Sequence, residues 1–404
     1  QLYNTIDTII VGHFIGKSAL ASVGGSSTQI VNLVVGFFTG LSSGASVIIA
    51  QFYGARDERS VQESLHTAYA FSILGSIAIS IPGILLAPHL LRWMNTPAEL
   101  VRDSALYLRI YFAGILFVFI FNVGSSILRA IGDSKHPLYY LMVCCLLNII
   151  LDILCVVWLD MGVAGAAIAT FFSQAASAAL VTRKLMVSGG ILKLSLKQLR
   201  FHANVLRSLL RIGMPAGFQS IMYSLSNVII QSALNSFGTD TVAAWSVYGK
   251  LDAVFWMISG AIGISITTFV GQNFGARKYG RVKKSVRVCL GIDALISGVL
   301  VIFFLLLRNP LFRIFTNDAD VIRIGCEMMA LITPCYMFFI CIEVLSGALR
   351  GIGDVIIPTL ITLGGVCLFR ILWLFGALQI RPTVNAIILS YPVTWLTTSI
   401  LFIL

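Results

Sequence analysis

Charge is scarce in this chain. Only 11% of its 404 residues are Asp, Glu, Lys or Arg, against about 25% in an ordinary soluble domain. That shortage excludes a water-solvated globule, because 58% of the residues are hydrophobic. Histidine is also scarce. His13, His66, His89, His136 and His202 lie near span ends or in loops. With no HExxH and no GxSxG in a plausible setting, an enzyme site is not indicated. The eight cysteines form no CxxC pair and no Cys/His cluster, so neither a zinc site nor a disulfide framework is expected. The apolar segments are too long and too little alternating for β-barrel strands. No cleavable signal peptide is visible.

What is present is a series of apolar runs of bilayer length. The expected spans are 1–14, 26–52, 62–87, 103–128, 137–158 and 162–185, then 205–236, 241–273, 284–307, 322–349, 356–378 and 383–404. The fold class read from them is an all-α polytopic membrane protein with twelve transmembrane helices.

The spans are duplicated. Leu128-Arg129-Ala130-Ile131-Gly132-Asp133 returns as Leu349-Arg350-Gly351-Ile352-Gly353-Asp354, an offset of 221. At that offset Gln51, Gly54, Ala55 and Arg56 meet Gln272, Gly275, Ala276 and Arg277. A gapless register over this distance indicates two six-helix repeats. An even number of spans per repeat gives both halves the same orientation. The expected domains are 1–185, a cytoplasmic linker 186–204, and 205–404. Gln1 corresponds to Met222, inside the seventh span, so the first helix is expected to be truncated at its start.

The net charge of +11 would suggest nucleic acid in a soluble protein. Here it reads as topology, and no nucleic-acid partner is expected. The loops at 53–61, 129–136, 183–211, 275–287 and 350–355 hold 18 Lys and Arg, and those on the other side hold 8. The first set is expected to be cytoplasmic, which puts both termini there. In the linker, Lys193, Lys197, Arg200 and Arg207 recur at helical spacing among leucines, which predicts an amphipathic surface helix.

Few polar groups sit deep in the spans. Pro137–Trp158 carries no charge but Asp152, and Asn148 lies four residues before it, on the same helical face. A carboxylate at that depth costs on the order of 3 kcal/mol and by default marks an ion or proton site. Asp7 and Asp152 would titrate as a coupled pair. Asn148 and Thr170 add the neutral oxygens that a hard cation wants. The candidate cation-coupling set is therefore Asp7, Asn148, Asp152 and Thr170, with Na⁺ as a possible occupant. At the repeat offset the second half has Val228, Phe369, Trp373 and Tyr391 in their places, so the site belongs to one half.

Asn122 and Glu343 are repeat equivalents shortly before the LRxIGD turns and are candidates for gating or helix packing. Arg370 and Lys250 are intramembrane cations that Asp252, Asp293 or Glu343 could neutralise, with substrate contact as the other reading. Tyr223, Trp245, Phe255, Trp256, Phe338 and Trp373 could line a cavity for flat cations through cation–π contacts. Gly36, Gly40 and Gly44 have small-xxx-small spacing, suiting a close packing face or a pivot. The twin Gly-Ala-Arg and Gly-Asp…Pro loops lack phosphate-loop spacing and read as tight turns with left-handed glycines.

Together these pieces resemble the multidrug and toxic compound extrusion (MATE) family. The resemblance rests on Leu2–Thr8 with Val11-Gly12, Ala50–Ala55, Leu128–Asp133, Leu147–Asp152, Gly162–Thr170 and Gly271–Ala276. It covers essentially the whole chain and is closest to the bacterial DinF-like branch. It implies two six-helix lobes in a V. The implied function is alternating-access export of cationic or amphipathic small molecules across the bacterial cytoplasmic membrane against Na⁺ or H⁺. No cofactor beyond the coupling ion is expected, and the protein is expected to act as a monomer. The resemblance also places the branch's cation site at Asp7, Asn148, Asp152 and Thr170. The NorM-like branch uses acids on helices seven and ten. Helix seven here has none, and Glu343 lies nearer the cytoplasmic end than that pattern requires. The alternative function is a flippase for a lipid-linked saccharide, which would need several converging cations where the spans offer only Lys250 and Arg370.

Overall fold

The computed structural model describes residues 10–94, 96–380 and 382–404. The described residues form helices without strands. After a π turn at Val11–Ile15, the first unit holds α1 (Lys17–Gly24), α2 (Ser26–Ala55), α3 (Glu58–Trp93), α4 (Ala98–Ala130), α5 (Lys135–Asp152) and α6 (Gly162–Val187). Helix α5 continues into a π segment, Ile153–Trp158. Then follow α7 (Ala203–Asn235), α8 (Thr239–Gly275), α9 (Tyr279–Arg313), α10 (Ala319–Ile332), α11 (Tyr336–Ile352), α12 (Ile356–Thr362), α13 (Phe369–Ile380), α14 (Val384–Ile388) and α15 (Ser390–Ile403). A 3₁₀ turn at Thr333–Cys335 joins α10 to α11, and a π segment at Leu363–Leu368 joins α12 to α13. The chain divides into two compact units, 1–217 and 218–404.

Ten of the described helical stretches are long and apolar enough to cross a membrane. Helix α7 has the length but is more polar, with Gln219, Ser220, Ser224, Ser226, Asn227 and Gln231 in its middle. Helix ends follow the repeat. At the 221-residue offset the starts of α3 and α5 fall on Tyr279 and Ile356, where α9 and α12 begin. Both LRxIGD turns end a helix on a glycine of positive φ, 95° at Gly132 and 93° at Gly353, the left-handed region that a Cβ disfavours. The Gly-Ala-Arg turns differ from expectation. Their left-handed residues are Arg56 (φ 59°) and Arg277 (φ 57°), not glycines.

The pattern of α5 is that of a helix facing lipid on one side. Cys144, Asn148 and Asp152 recur at i, i+4, i+8 and are buried, while Met142, Leu146 and Ile150 on another face are exposed. The polar side therefore faces the protein, as burial of a charge in hydrocarbon demands.

The linker is not an amphipathic helix. Residues 188–202 form two short 3₁₀ turns, Gly190–Leu192 and Leu196–Gln198, in otherwise irregular chain. Hydrogen bonds from α3 explain this. Gln62 Nε2 donates to the Ile191 carbonyl at 2.9 Å, and His66 Nε2 accepts the Ser195 amide at 3.1 Å. Leu192 and Leu194 of this segment are buried. Backbone groups held by side chains cannot also close a helical ladder.

Asp57 caps α3, its Oδ1 accepting the Ser60 amide at 3.0 Å and its Oδ2 the Ser60 hydroxyl at 2.6 Å. Those bonds, the hydroxyl's first, hold its carboxyl below the ordinary value of 3.8. A lowered folded-state pKa gives stability that is present above the unfolded value and lost as pH falls through the folded one. Asp57→Ala is expected to melt slightly below wild type at pH 7, with the gap closing below about pH 3.8. Thermal melts at the two pH values check it.

Candidate functional site

Asn148 and Asp152 sit on the last two turns of α5, 1% and 0% exposed. Neither Nδ2 nor Oδ1 of Asn148 has a hydrogen-bond partner among the described residues. A buried amide without partners costs about 1–3 kcal/mol. The helix loosens immediately after Asp152, where the wider π turn begins. Such turns recur at functional sites.

Helix α6 packs along α5 and its π segment. At its start Val163 and Ala166 join Val156, Ile10 and Val11 in one buried cluster. The described end of the first span, the π turn of the fifth and the start of the sixth thus meet in one corner. Thr170 continues the Val163–Ala166 stripe of α6 one turn further, about 6 Å along the axis, and is 6% exposed. Asp152 lies one turn before Val156 on the oppositely running α5. The two helices therefore carry Asp152 and Thr170 inward from the same apolar corner. Asp7 lies outside the described residues.

The pieces can supply one carboxylate, one amide oxygen and one hydroxyl, which suit a monovalent hard cation or a proton. No group of three His, Cys, Asp or Glu with metal-ligand geometry occurs among the described residues. The eight cysteines are free thiols.

Other sequence-selected residues are arranged differently. Asn122 spends its amide on its own helix, donating to the Val118 carbonyl at 2.9 Å. Glu343 lies 3.8 Å from Arg350 and against Gly263, where a Cβ would overlap its carboxylate. The expected neutralisation of Arg370 and Lys250 by Asp252, Asp293 or Glu343 does not occur. Asp252 accepts hydrogen bonds from Trp256 Nε1 at 2.6 Å, from Tyr248 at 3.3 Å and from the Tyr336 hydroxyl. Asp293 is met by the Ser297 and Ser259 hydroxyls, at 3.1 and 3.5 Å. Lys250 stands over the Phe315 ring, 5.5 Å from its centre. Neutral donors hold Asp252 and Asp293, and Tyr248 and Trp256 reach Asp252 because they sit one turn away on α8.

The aromatic residues pack mainly on one another. Phe255 stacks on Tyr336 with ring centres 3.8 Å apart, Trp245 on Tyr248 at 5.4 Å, and Trp256 meets Phe339 edge-on at 4.6 Å. Trp373 Nε1 donates to the Ala386 carbonyl at 3.0 Å. Tyr223 and Phe338 are at most partly buried. Sequence reading missed the Tyr248–Asp252–Tyr336 group; its only signal was the i, i+4, i+8 run of Tyr248, Asp252 and Trp256.

Comparison with known proteins fits this geometry. The family model MatE matches residues 1–154 and 215–375. The chain is 28% identical over 365 residues to the "Probable multidrug resistance protein YoeA" of Bacillus subtilis (strain 168), covering 89% of this chain and 79% of that protein. It is 31% identical over 353 residues to the "Probable multidrug resistance protein YpnP" of the same organism, covering 87% and 78%. A solved structure described as an "Outward-facing conformation of a multidrug resistance MATE family transporter of the MOP superfamily" superposes with a TM-score of 0.92 at 21% identity, over 99% of this chain and 89% of that one. That likeness shows the twelve-helix fold. The chain is a multi-pass membrane transporter, not an enzyme, and it belongs to the MatE family.

Proposed function

We propose that this protein is a secondary antiporter of a bacterial cytoplasmic membrane. It exports cationic or amphipathic organic molecules by alternating access, in exchange for Na⁺ or H⁺. It works as a monomer with both termini cytoplasmic, in the manner of the DinF-like branch. The observation that carries this reading is the Asn148 amide, without a hydrogen-bond partner among the described residues, one turn from the fully buried Asp152 carboxylate. An ion at that place cancels a charge in an apolar span and satisfies the amide together. Its departure leaves the Asn148 amide unsatisfied, which ties the ion to the conformation of the first unit. Asp7 is the expected further carboxylate, and Thr170 the hydroxyl. The names of the two Bacillus relatives support drugs as the solute class.

The test uses vesicles containing the purified protein, with a fluorescent cationic dye inside and Na⁺ and H⁺ gradients imposed separately. One gradient is expected to drive dye movement at least about tenfold faster than protein-free vesicles. Dye movement indifferent to both gradients would sink the antiport reading.

A further inference from the structure

The second unit buries a cation without a counter-charge among the described residues. Arg370, on the first turn of α13, is 2% exposed. Its Nη2 donates to Thr394 Oγ1 on α15 at 3.3 Å, and its guanidinium lies 4.1 Å from the centre of the Tyr391 ring. Its Nε has no partner among the described residues. The acids of the unit's spans are engaged by other groups: Asp252 by Trp256 and the two tyrosines, Asp293 by serines, Glu327 by Arg323, Glu343 by Arg350. One turn before Thr394 on the same face of α15, the buried Ser390 hydroxyl also lacks a partner among the described residues. Taking a guanidinium out of water costs several kcal/mol unless an anion compensates it. One neutral hydrogen bond and one aromatic face compensate only in part.

The repeat shows where this cation stands. At the 221-residue offset Asn148 and Asp152 correspond to Phe369 and Trp373, and Thr170 corresponds to Tyr391. Arg370 takes the place of Ile149. The helix pair that carries an acid and an amide in the first unit carries a base and its aromatic partner in the second. The charge carried by the corresponding helix pair is reversed in sign.

We propose that Arg370 receives a single anionic group, a carboxylate, sulfonate or phosphate, carried by an amphipathic solute that this transporter moves. The assignment rests on the transport reading above and sharpens its substrate class. The preferred solute bears a negative group as well as an apolar or cationic body. Arg370 supplies charge-assisted donors through Nε and a free edge of its guanidinium, and the Ser390 hydroxyl adds a neutral one.

The experiment compares rhodamine B, whose cationic ring system carries a free carboxylate, with its ethyl ester, which lacks that charge. Binding of each is measured by fluorescence anisotropy on the purified full chain in chloride-free buffer at neutral pH. Wild type is expected to favour the acid over the ester by about tenfold. The ratio should fall to about one in Arg370→Gln and stay above one in Arg370→Lys, with folding of both variants read by size-exclusion profile and melting. Equal binding of acid and ester by wild type, or a preference that survives Arg370→Gln, overturns the proposal. Chloride titration covers the remaining source of an anion. If chloride raises the melting temperature of wild type but not of Arg370→Gln, and the acid shows no preference, the site holds an inorganic ion and the solute assignment is overturned. Failure of the antiport reading appears separately, as ester dye that binds but ignores both gradients.

Discussion

Asp152→Asn is expected to reduce gradient-driven dye export to the level of protein-free vesicles, a loss of about tenfold or more. The side chain keeps its size and loses only its charge and its ability to bind or release a proton. Asp152 is fully buried on the inward face of α5, so the substitution removes no surface solvation and leaves no cavity. A purely structural Asp152 would give a different result, because an amide could serve as well and transport would continue at the wild-type rate. A companion variant separates coupling from folding by its sign. Asn148→Leu replaces an amide whose two polar atoms lack partners among the described residues with an apolar side chain of similar size. It should hold or raise stability, by up to about 1–3 kcal/mol, while abolishing ion dependence. A variant that is both less stable and still ion-dependent would show that Asn148 is an ordinary structural residue. Residues kept at a cost in stability are those a function requires.

Gly44→Leu is expected to be the most disruptive substitution in the first unit outside that site. A Cβ at Gly44 would lie 2.6 Å from the Leu209 carbonyl oxygen and 2.9 Å from the Gly213 amide nitrogen. A Cβ at Gly40 would lie 2.5 Å from the Gly217 nitrogen. The contact is reciprocal, since a Cβ on Gly213 would lie 2.6 Å from the Leu41 carbonyl oxygen. The obstacles are backbone atoms, which cannot rotate aside as a side chain can. Helices α2 and α7 would have to separate, losing the packing that holds helices together where lipid replaces water. The expected cost is about 3 kcal/mol, the upper end for overpacking, seen as a lower melting temperature and a smaller folded yield. Gly291→Ala is the control. A Cβ there meets nothing within 4 Å, so it should be neutral or stabilise by up to about 1 kcal/mol. Equal melting of Gly44→Leu and Gly291→Ala would show that the close approach does not matter.

The Gly40–Gly44 spacing was legible in the sequence as a packing face, but not its partner. Gly213 and Gly217 repeat the spacing on α7, and nothing in a linear pattern says which of several small-residue stripes meet. The linker failed for a related reason. Its Lys and Leu spacing favours a helix, yet the side chains of Gln62 and His66 hold its backbone. Those residues lie more than a hundred positions away. The ion pairs expected in the second half failed because charge complementarity in a sequence carries no direction. Asp252 found tyrosine and tryptophan on its own helix and on α11, and Arg370 was left with Tyr391 and Thr394.

The sequence by itself determined the fold class, the spans and the duplication. Lipid imposes a coarse rule on every segment: a bilayer-length apolar run must close its own hydrogen bonds as a helix. That rule acts locally, and so does the cost of Asp152, which marked its helix without any neighbour being known. Only the tertiary structure decided which polar groups were satisfied. Among the described residues, Asn148 is left with open hydrogen-bonding capacity, Asp252 is enclosed by neutral donors, and Arg370 is buried without a carboxylate. Satisfaction is a property of distance and direction between side chains on different helices, and residue order fixes neither.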